Sequence, residues 1–133
     1  MAILVGIDEL NWYGPTTERI VLPLRKHFDK HCAIAYCKDF DEISFDLRIG
    51  DPGDALGPVE PHKPSSCIGI DVLLSFDPYE YPDGYATKIA TWIRRAVDEL
   101  AAHMAQAEYG FAENEFRTEC KTALSECERS LEM

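Results

Sequence analysis

The chain has 133 residues, of which 46% are apolar and 28% are charged, and this composition argues for one folded domain and against intrinsic disorder. The 24 acidic and 13 basic residues leave a formal net charge of -11. Direct binding to nucleic acid or to an anionic membrane is therefore not expected, because both depend on Lys and Arg contacting phosphates.

The cysteines and the N-terminal sequence indicate the compartment. The five cysteines are an odd number without a CxxC pair, which is not the pattern of a disulfide framework. The sequence MAILVGIDEL lacks the basic residues and the cleavage site of a secretory signal, and no apolar run approaches the roughly 20 residues that cross a bilayer. We expect a cytoplasmic protein with reduced thiols and a single domain over residues 1–133.

The first predicted elements are a strand and a helix. Residues 2–7, AILVGI, form an apolar run that is typical of a strand with both faces covered. A helix is predicted to begin at Pro15 or Thr16, because apolar residues then recur at every fourth position. Pro23 interrupts this pattern, and a proline is tolerated only where a helix kinks or starts. The recurring apolar residues are Ile20, Leu24 and Phe28.

Two strands are predicted next, at residues 32–37, CAIAYC, and at residues 42–49, EISFDLRI. Only the four residues KDFD separate them, so a β-hairpin is expected. The second strand alternates between apolar and polar residues, which favours a sheet with one face in the core and one in water. The inward residues are Ile43, Phe45, Leu47 and Ile49, and the outward residues are Glu42, Ser44, Asp46 and Arg48.

The remaining elements follow two loops rich in Gly and Pro. Residues 50–66 are predicted as a loop, residues 67–76 as a largely buried strand, and residues 77–85, DPYEYPDGY, as a second loop. Helices with an apolar stripe are predicted over 86–107 and 112–131. The order of elements predicts an α+β fold: a sheet of about four strands, mainly antiparallel, covered by one N-terminal helix and a C-terminal helical hairpin.

The sequence contains one group of possible zinc ligands: His27, His31, Cys32 and Cys37. The two histidines would end a helix, where the helix dipole favours them. Cys32 and Cys37 would lie on opposite faces of the predicted strand and so could not share one ion. We therefore expect no metal site.

No catalytic site is recognisable. The sequence contains no GxSxG, GxxxxGK[ST] or GxGxxG motif. Cys67, with His62 near it in sequence, is the best candidate for a nucleophilic thiol, although a buried structural cysteine is the expected interpretation. Close acidic pairs such as Asp51 and Asp54 are expected to be solvated loop residues. We expect no catalytic residue and no cofactor, and hence a protein that is not an enzyme.

The distribution of charge is the most informative feature. Residues 50–85 contain 7 acids and 1 base, so this quarter of the chain carries over half of the excess negative charge. Within it, acidic and tyrosine residues alternate beside two prolines. Tyrosine provides large contact area at low entropic cost, and carboxylates pair with Lys and Arg, which is typical of a protein interface. The predicted partner-binding residues are Trp12, Asp51, Asp54, Asp77, Tyr79, Glu80, Tyr81, Asp83 and Tyr85.

In size, acidity and loop chemistry, the chain resembles the small immunity proteins that neutralise bacterial nuclease toxins, as in colicin and contact-dependent inhibition systems. No motif carries this resemblance, and those proteins have several unrelated folds. The resemblance implies a cytoplasmic inhibitor that binds a basic toxin domain and occludes it. The loop DPYEYPDGY would lead the interface, joined by Trp12 if the sheet places both loops at one end.

Other functions remain open. A virus-encoded inhibitor that imitates nucleic acid, or a regulatory adaptor, would have a similar composition. A small enzyme or ligand-binding protein would instead show a deep pocket with convergent polar groups. The apolar stripe of residues 112–131 allows a homodimer, although core packing explains it equally well. The tyrosines could also fill the edge of the core while the acids only keep the loops solvated.

Overall fold

The computed structural model describes residues 2–7, 17–32, 36–49, 53–62, 66–75, 83–106 and 111–132. These residues form four strands and three α-helices, the first of which is preceded by one turn of π-helix at Thr17–Val21. In chain order the elements are β1 (Ala2–Ile7), α1 (Leu22–His31), β2 (Glu42–Ile49), β3 (Ala55–His62), β4 (Cys67–Leu74), α2 (Tyr85–Gln106) and α3 (Glu113–Glu132).

The four strands form one mixed sheet in the order β1-β2-β4-β3. β2 pairs in parallel with both β1 and β4, whereas β3 pairs antiparallel with β4. The predicted α+β class is confirmed, but the prediction of a mainly antiparallel sheet is wrong. β1 and β2 are parallel because α1 lies between them in the chain, and a helical crossover returns the chain to a parallel neighbour. β2 and β4 are parallel because β3, which runs antiparallel to β4, lies between them in the chain.

The prediction of a strand at residues 32–37 is wrong for the described residues of that range. Cys32 caps the C-terminus of α1, and Tyr36 and Cys37 lie outside any strand. The carbonyl oxygen of Tyr36 accepts a hydrogen bond from the backbone N–H of Ala112 at 2.8 Å, so this segment bonds to the chain just before α3. The predicted hairpin does not form either, because β1 and β4 occupy the two sides of β2.

The prediction of a loop over residues 50–66 is also wrong, because this range contains β3. Pro58 and Pro61 lie within the strand, and its register shifts between Leu56 and Val59. β3 is at the edge of the sheet and pairs on one side only, which is the position where a strand tolerates proline. The prolines that indicate a loop in the sequence therefore belong to an edge strand.

Pro23 lies in the first turn of α1. The N–H groups of a first turn have no partner within the helix, so proline removes no helical hydrogen bond there. Pro23 therefore lies at the start of a helix, one of the two positions where the sequence predicts that it is tolerated. Ile20, Leu24 and Phe28 are all buried, as their spacing predicts.

The buried residues form one hydrophobic cluster that joins one face of the sheet to the helices. α2 packs on β3, β4 and α3, while α1 packs on β1 and α3. The predicted ranges of α2 and α3 agree with the structure to within one residue at each end. Within the described ranges, no helix is both long and apolar enough to cross a membrane.

Replacing Phe45 by alanine tests this core. Phe45 lies in the middle of β2, is fully buried and stacks on Phe28 of α1 with 5.7 Å between ring centroids. Phe45→Ala is expected to lower the free energy of unfolding by about 3–5 kcal/mol, measured by urea denaturation. The control Leu22→Ala removes a side chain that is 51% exposed and should change stability by less than about 0.5 kcal/mol. Equal effects of the two substitutions would contradict the assigned core.

Candidate functional site

The three parallel strands end at one edge of the sheet. Ile7 of β1 pairs with Leu47 of β2, and Ile49 of β2 pairs with Leu74 of β4, so the chain leaves all three strands at the same side. We call this side the C-terminal edge, defined by Ile7, Ile49 and Leu74. In open sheets with parallel strands, binding sites form outside the carboxyl ends of the strands.

A network of three side chains joins the elements at the C-terminal edge. Asp54, just before β3, accepts a hydrogen bond from the backbone N–H of Ser75 at 2.8 Å and lies 3.1 Å from the ammonium of Lys88 in α2. Lys88 also donates to the Ser75 hydroxyl at 3.0 Å. Burial acts to raise the pKa of Asp54, but the Ser75 N–H and the Lys88 charge outweigh it and the pKa is lowered. Asp54 therefore holds the C-terminal end of β4 and the N-terminal end of α2 in fixed positions relative to each other.

An exposed acidic residue and a partly buried tyrosine lie at the start of α2. Asp83 is exposed in the turn before the helix, and Gly84 has a φ of 79°, a left-handed conformation that favours glycine. Tyr85 packs partly against the core, and its hydroxyl lies 3.5 Å from the carbonyl oxygen of Leu131 at the end of α3. Tyr85 thus contributes to the packing of the edge, whereas Asp83 faces solvent.

The structure describes three of the sequence-predicted binding residues: Asp54, which bonds to Ser75 just after β4, and Asp83 and Tyr85, which lie at the start of α2 within five residues of Lys88. The other six lie outside the described residues. They are Trp12, Asp51, Asp77, Tyr79, Glu80 and Tyr81.

A second polar surface covers the side of the sheet that points away from the hydrophobic cluster; we call it the outward face. It is defined by Ser44, Asp46 and Arg48 of β2 together with Gly69 and Asp71 of β4, which are neighbours in the parallel register. The alternation of β2 predicts that Ser44 and Asp46 face water, yet Ser44 is only 7% exposed.

Asp46 is the centre of the hydrogen bonding on the outward face. The Ser44 hydroxyl donates to its Oδ1 at 2.7 Å, and Nε2 of His62 in β3 lies 3.4 Å from its Oδ2. Glycines leave the space for both contacts: a Cβ at Gly6 would lie 2.6 Å from Asp46 Oδ1, and a Cβ at Gly69 would lie 2.4 Å from His62 Nε2. The two glycines occupy the strands on either side of β2.

The remaining pair on the outward face involves Asp71 and Arg48, whose charged groups are 3.5 Å apart. A Cβ at Gly57 of β3 would lie 3.0 Å from the Cβ of Asp71, so a glycine again borders a carboxylate. The sequence predicts the outward residues of β2, but it does not predict their neighbours on β3 and β4, because the register that brings these strands together joins residues far apart in the chain.

Cys67 does not have the environment of a nucleophile. His62 is its direct partner in the β3–β4 register, but the imidazole reaches across Gly69 towards Asp46. Burial, with the nearby charges of Glu42 and Asp46, raises the pKa of Cys67 to about 11. The thiolate that nucleophilic catalysis requires is therefore scarce at neutral pH.

The four residues considered as zinc ligands contact other groups. His27 Nδ1 and His31 Nε2 lie 3.6 Å and 2.7 Å from the same Oε2 of Glu126 in α3. Cys32 contacts the sulfur of Cys120, and the sulfur of Cys37 accepts a hydrogen bond from the backbone N–H of Asp39 at 3.4 Å. Across the part of the chain that the structure describes, no group of three or more His, Cys, Asp or Glu side chains is arranged to hold a metal ion.

Comparison of the chain with models of protein families, with curated proteins and with solved structures finds no match. The function of the candidate site is therefore inferred from the sequence and the structure of this chain alone.

Replacing Asp54 by asparagine tests the network at the C-terminal edge. The amide still accepts from Ser75 but loses the attraction to Lys88, so Asp54→Asn should lower the free energy of unfolding at pH 7 by about 0.5–1 kcal/mol. Because the folded-state pKa of Asp54 is lowered, this contribution is present above the unfolded pKa, about 3.9, and is lost as pH falls through the folded pKa. Urea denaturation from pH 7 to pH 2.5 measures the difference.

The matched control for that series is Asp83→Asn, which removes a charge from the exposed residue in the turn before α2. It should change stability little at either end of the pH range. A difference between Asp54→Asn and the unmodified protein that persists unchanged at pH 2.5 would show that the ion pair is not its source.

Proposed function

We propose that the protein is an inhibitor that binds a basic protein at its C-terminal edge, as the immunity proteins of bacterial toxin systems bind their toxins. In this proposal it acts in the cytoplasm by occluding the toxin, for example a nuclease domain, and it has no catalytic turnover.

One observation carries the proposal. The segments that follow β1, β2 and β4 leave the sheet from one edge, and in residues 8–16, 50–54 and 75–85 there are seven acids and no Lys or Arg. Carboxylates attached to one edge produce a negative potential that attracts a cationic surface and disfavours an anionic one. The seven acids are Asp8, Glu9, Asp51, Asp54, Asp77, Glu80 and Asp83.

Two of these segments, residues 8–16 and 75–85, are also rich in aromatic residues. Trp12 follows β1, and Tyr79 and Tyr81 follow β4. Tryptophan and tyrosine dominate the residues that contribute most to protein interfaces, since they bury large amphipathic area with few rotatable bonds. Charge on the segments would direct the encounter, and the rings would provide most of the affinity.

The described residues at this edge support rigid presentation of those segments. The Asp54–Ser75–Lys88 network and the packing of Tyr85 fix the points where the chain leaves β4 and enters α2. A binding loop with fixed ends loses less conformational entropy when a partner orders it.

The chemistry of the outward face does not favour an enzyme. The Ser44 hydroxyl donates to the carboxylate of Asp46, and the His62 imidazole lies on the other oxygen of that carboxylate. Nucleophilic catalysis by serine requires the imidazole to accept the hydroxyl proton, so this order of residues leaves the serine inactive.

The test is capture of the partner from the native cell. The immobilised protein should retain a basic protein at low salt and release it as the salt concentration is raised. Mass spectrometry should identify the released protein as a toxin whose gene lies beside the gene of the inhibitor. Asp83→Lys should slow association with that protein about tenfold or more, because it reverses a charge at the C-terminal edge.

The matched control is Glu115→Lys, which makes the same change in net charge. Glu115 is exposed on α3, sixteen residues before Leu131, which places it about 24 Å along the helix from the end that contacts Tyr85. It should leave association nearly unchanged. If both substitutions slow association equally, the net charge of the protein is the cause, and docking at the edge is contradicted.

Once the partner is identified, Tyr79→Ala or Tyr81→Ala should weaken binding by about 2 kcal/mol, a loss of about 30-fold in Kd measured by calorimetry, without unfolding the protein. Capture of several unrelated proteins that bind nucleic acid, none of them encoded beside its own gene, would instead indicate a nucleic-acid mimic. Recovery of metabolites alone would indicate a ligand-binding protein or an enzyme. Either result would contradict the proposal.

A further inference from the structure

Two buried cysteines meet where α1 packs against α3. The sulfur atoms of Cys32 and Cys120 are 3.9 Å apart, and the two side chains are 4% and 0% exposed. The residues are 88 positions apart in the chain, so the contact depends on the tertiary fold.

We propose that Cys32 and Cys120 are a modification site, at which hydrogen peroxide converts the two thiols into a reversible disulfide that links α1 to α3. This site is separate from the C-terminal edge and does not depend on the proposed inhibitor function.

Cys32 lies at the end of a helix, where the backbone can adjust so that the disulfide bond forms. A disulfide requires sulfur atoms about 2.05 Å apart, so the two thiols must approach by nearly 2 Å. Cys120 is held within α3, whereas Cys32 is the C-terminal cap of α1, with a φ of -116° and a ψ of 63° outside the helical region. The end of a helix adjusts at lower cost than its interior, so Cys32 is the residue that moves.

The two thiols differ in acidity. The hydrogen bond from Cys120 lowers the pKa of Cys32, although burial and the charges of Glu119 and Asp29 act in the opposite direction. Burial raises the pKa of Cys120. Cys32 is also the more exposed of the two, at 4% against 0%, and lies at a helix end, so peroxide reaches it first and Cys120 is the resolving thiol.

The reaction balances with one peroxide. The Cys32 thiolate attacks one oxygen of hydrogen peroxide and displaces hydroxide, which takes up the proton that Cys32 released, and a sulfenic acid forms. The Cys120 sulfur then attacks the sulfenic sulfur, the S–S bond forms, and water leaves with the Cys120 proton. Two thiols and one peroxide give one disulfide and two waters, and a dithiol reductant reverses the change.

The experiment uses the unmodified, folded protein. After treatment with hydrogen peroxide, the sample is denatured, its remaining thiols are alkylated, and its peptides are mapped by mass spectrometry. Two of the five thiols should be protected, in a peptide pair that joins Cys32 to Cys120, and dithiothreitol should release both. The oxidised protein should also melt at least about 5 °C higher, because the link restricts the unfolded chain.

Variants locate the chemistry. Cys32→Ser should abolish the link and the rise in melting temperature. Cys127→Ser should retain both, since Cys127 is equally buried on the same helix and burial raises its pKa to about 11. If Cys32→Ser does not fold, the peptide map of the unmodified protein still decides. Five alkylated thiols after oxidation, or a disulfide between any other pair, would overturn the proposal.

Discussion

The parallel pairing of β2 with both β1 and β4 organises the fold and both of its polar surfaces. It aligns the apolar residues of the three strands on one face, where the helices complete a single hydrophobic cluster. Because side chains alternate along a strand, the same register sends Asp46, Arg48 and Asp71 to the opposite face. It also brings the carboxyl ends of the three strands to one edge, from which the acidic segments leave the sheet.

The outward face shows how closely the register and the side chains are matched. Asp46 lies between Gly6 of β1 and Gly69 of β4, and a side chain at either position would collide with Asp46 or with His62. A shift of one residue would place these glycines in the core and apolar side chains beside the carboxylate. The polar contacts of this face therefore favour the same register as the hydrophobic cluster does.

Elements that are defined by local pattern could be predicted from the sequence. The bounds and the alternation of β2 follow from its period of two, and α2 and α3 follow from stripes that recur every three or four residues. The partners of β2 could not be predicted, because parallel pairing depends on residues far apart in the chain. Two local signals were misleading: residues 32–37 are apolar enough for a strand, yet Tyr36 bonds to Ala112, and Pro58 and Pro61 conceal an edge strand.

The sequence predicts the amino-acid composition of the candidate site better than its position in the fold. The alternation of tyrosine and acid before α2 is visible in the sequence, and so is the excess of acids in residues 50–85. The partnership of Asp54 with Ser75 and Lys88 is not visible, because three different elements contribute one residue each. The parallel topology is what connects the acidic segments to a common edge, and the expected hairpin conceals it.

We propose that a basic protein docks at the C-terminal edge. Hydrogen–deuterium exchange of the protein, alone and in complex with the partner captured from its native cell, would detect this docking. We expect binding to slow exchange in residues 8–16, 50–54 and 75–85 and to leave the exposed side of α2 and α3 unchanged. Slower exchange confined to α2 and α3, with those three segments unaffected, would contradict docking at this edge.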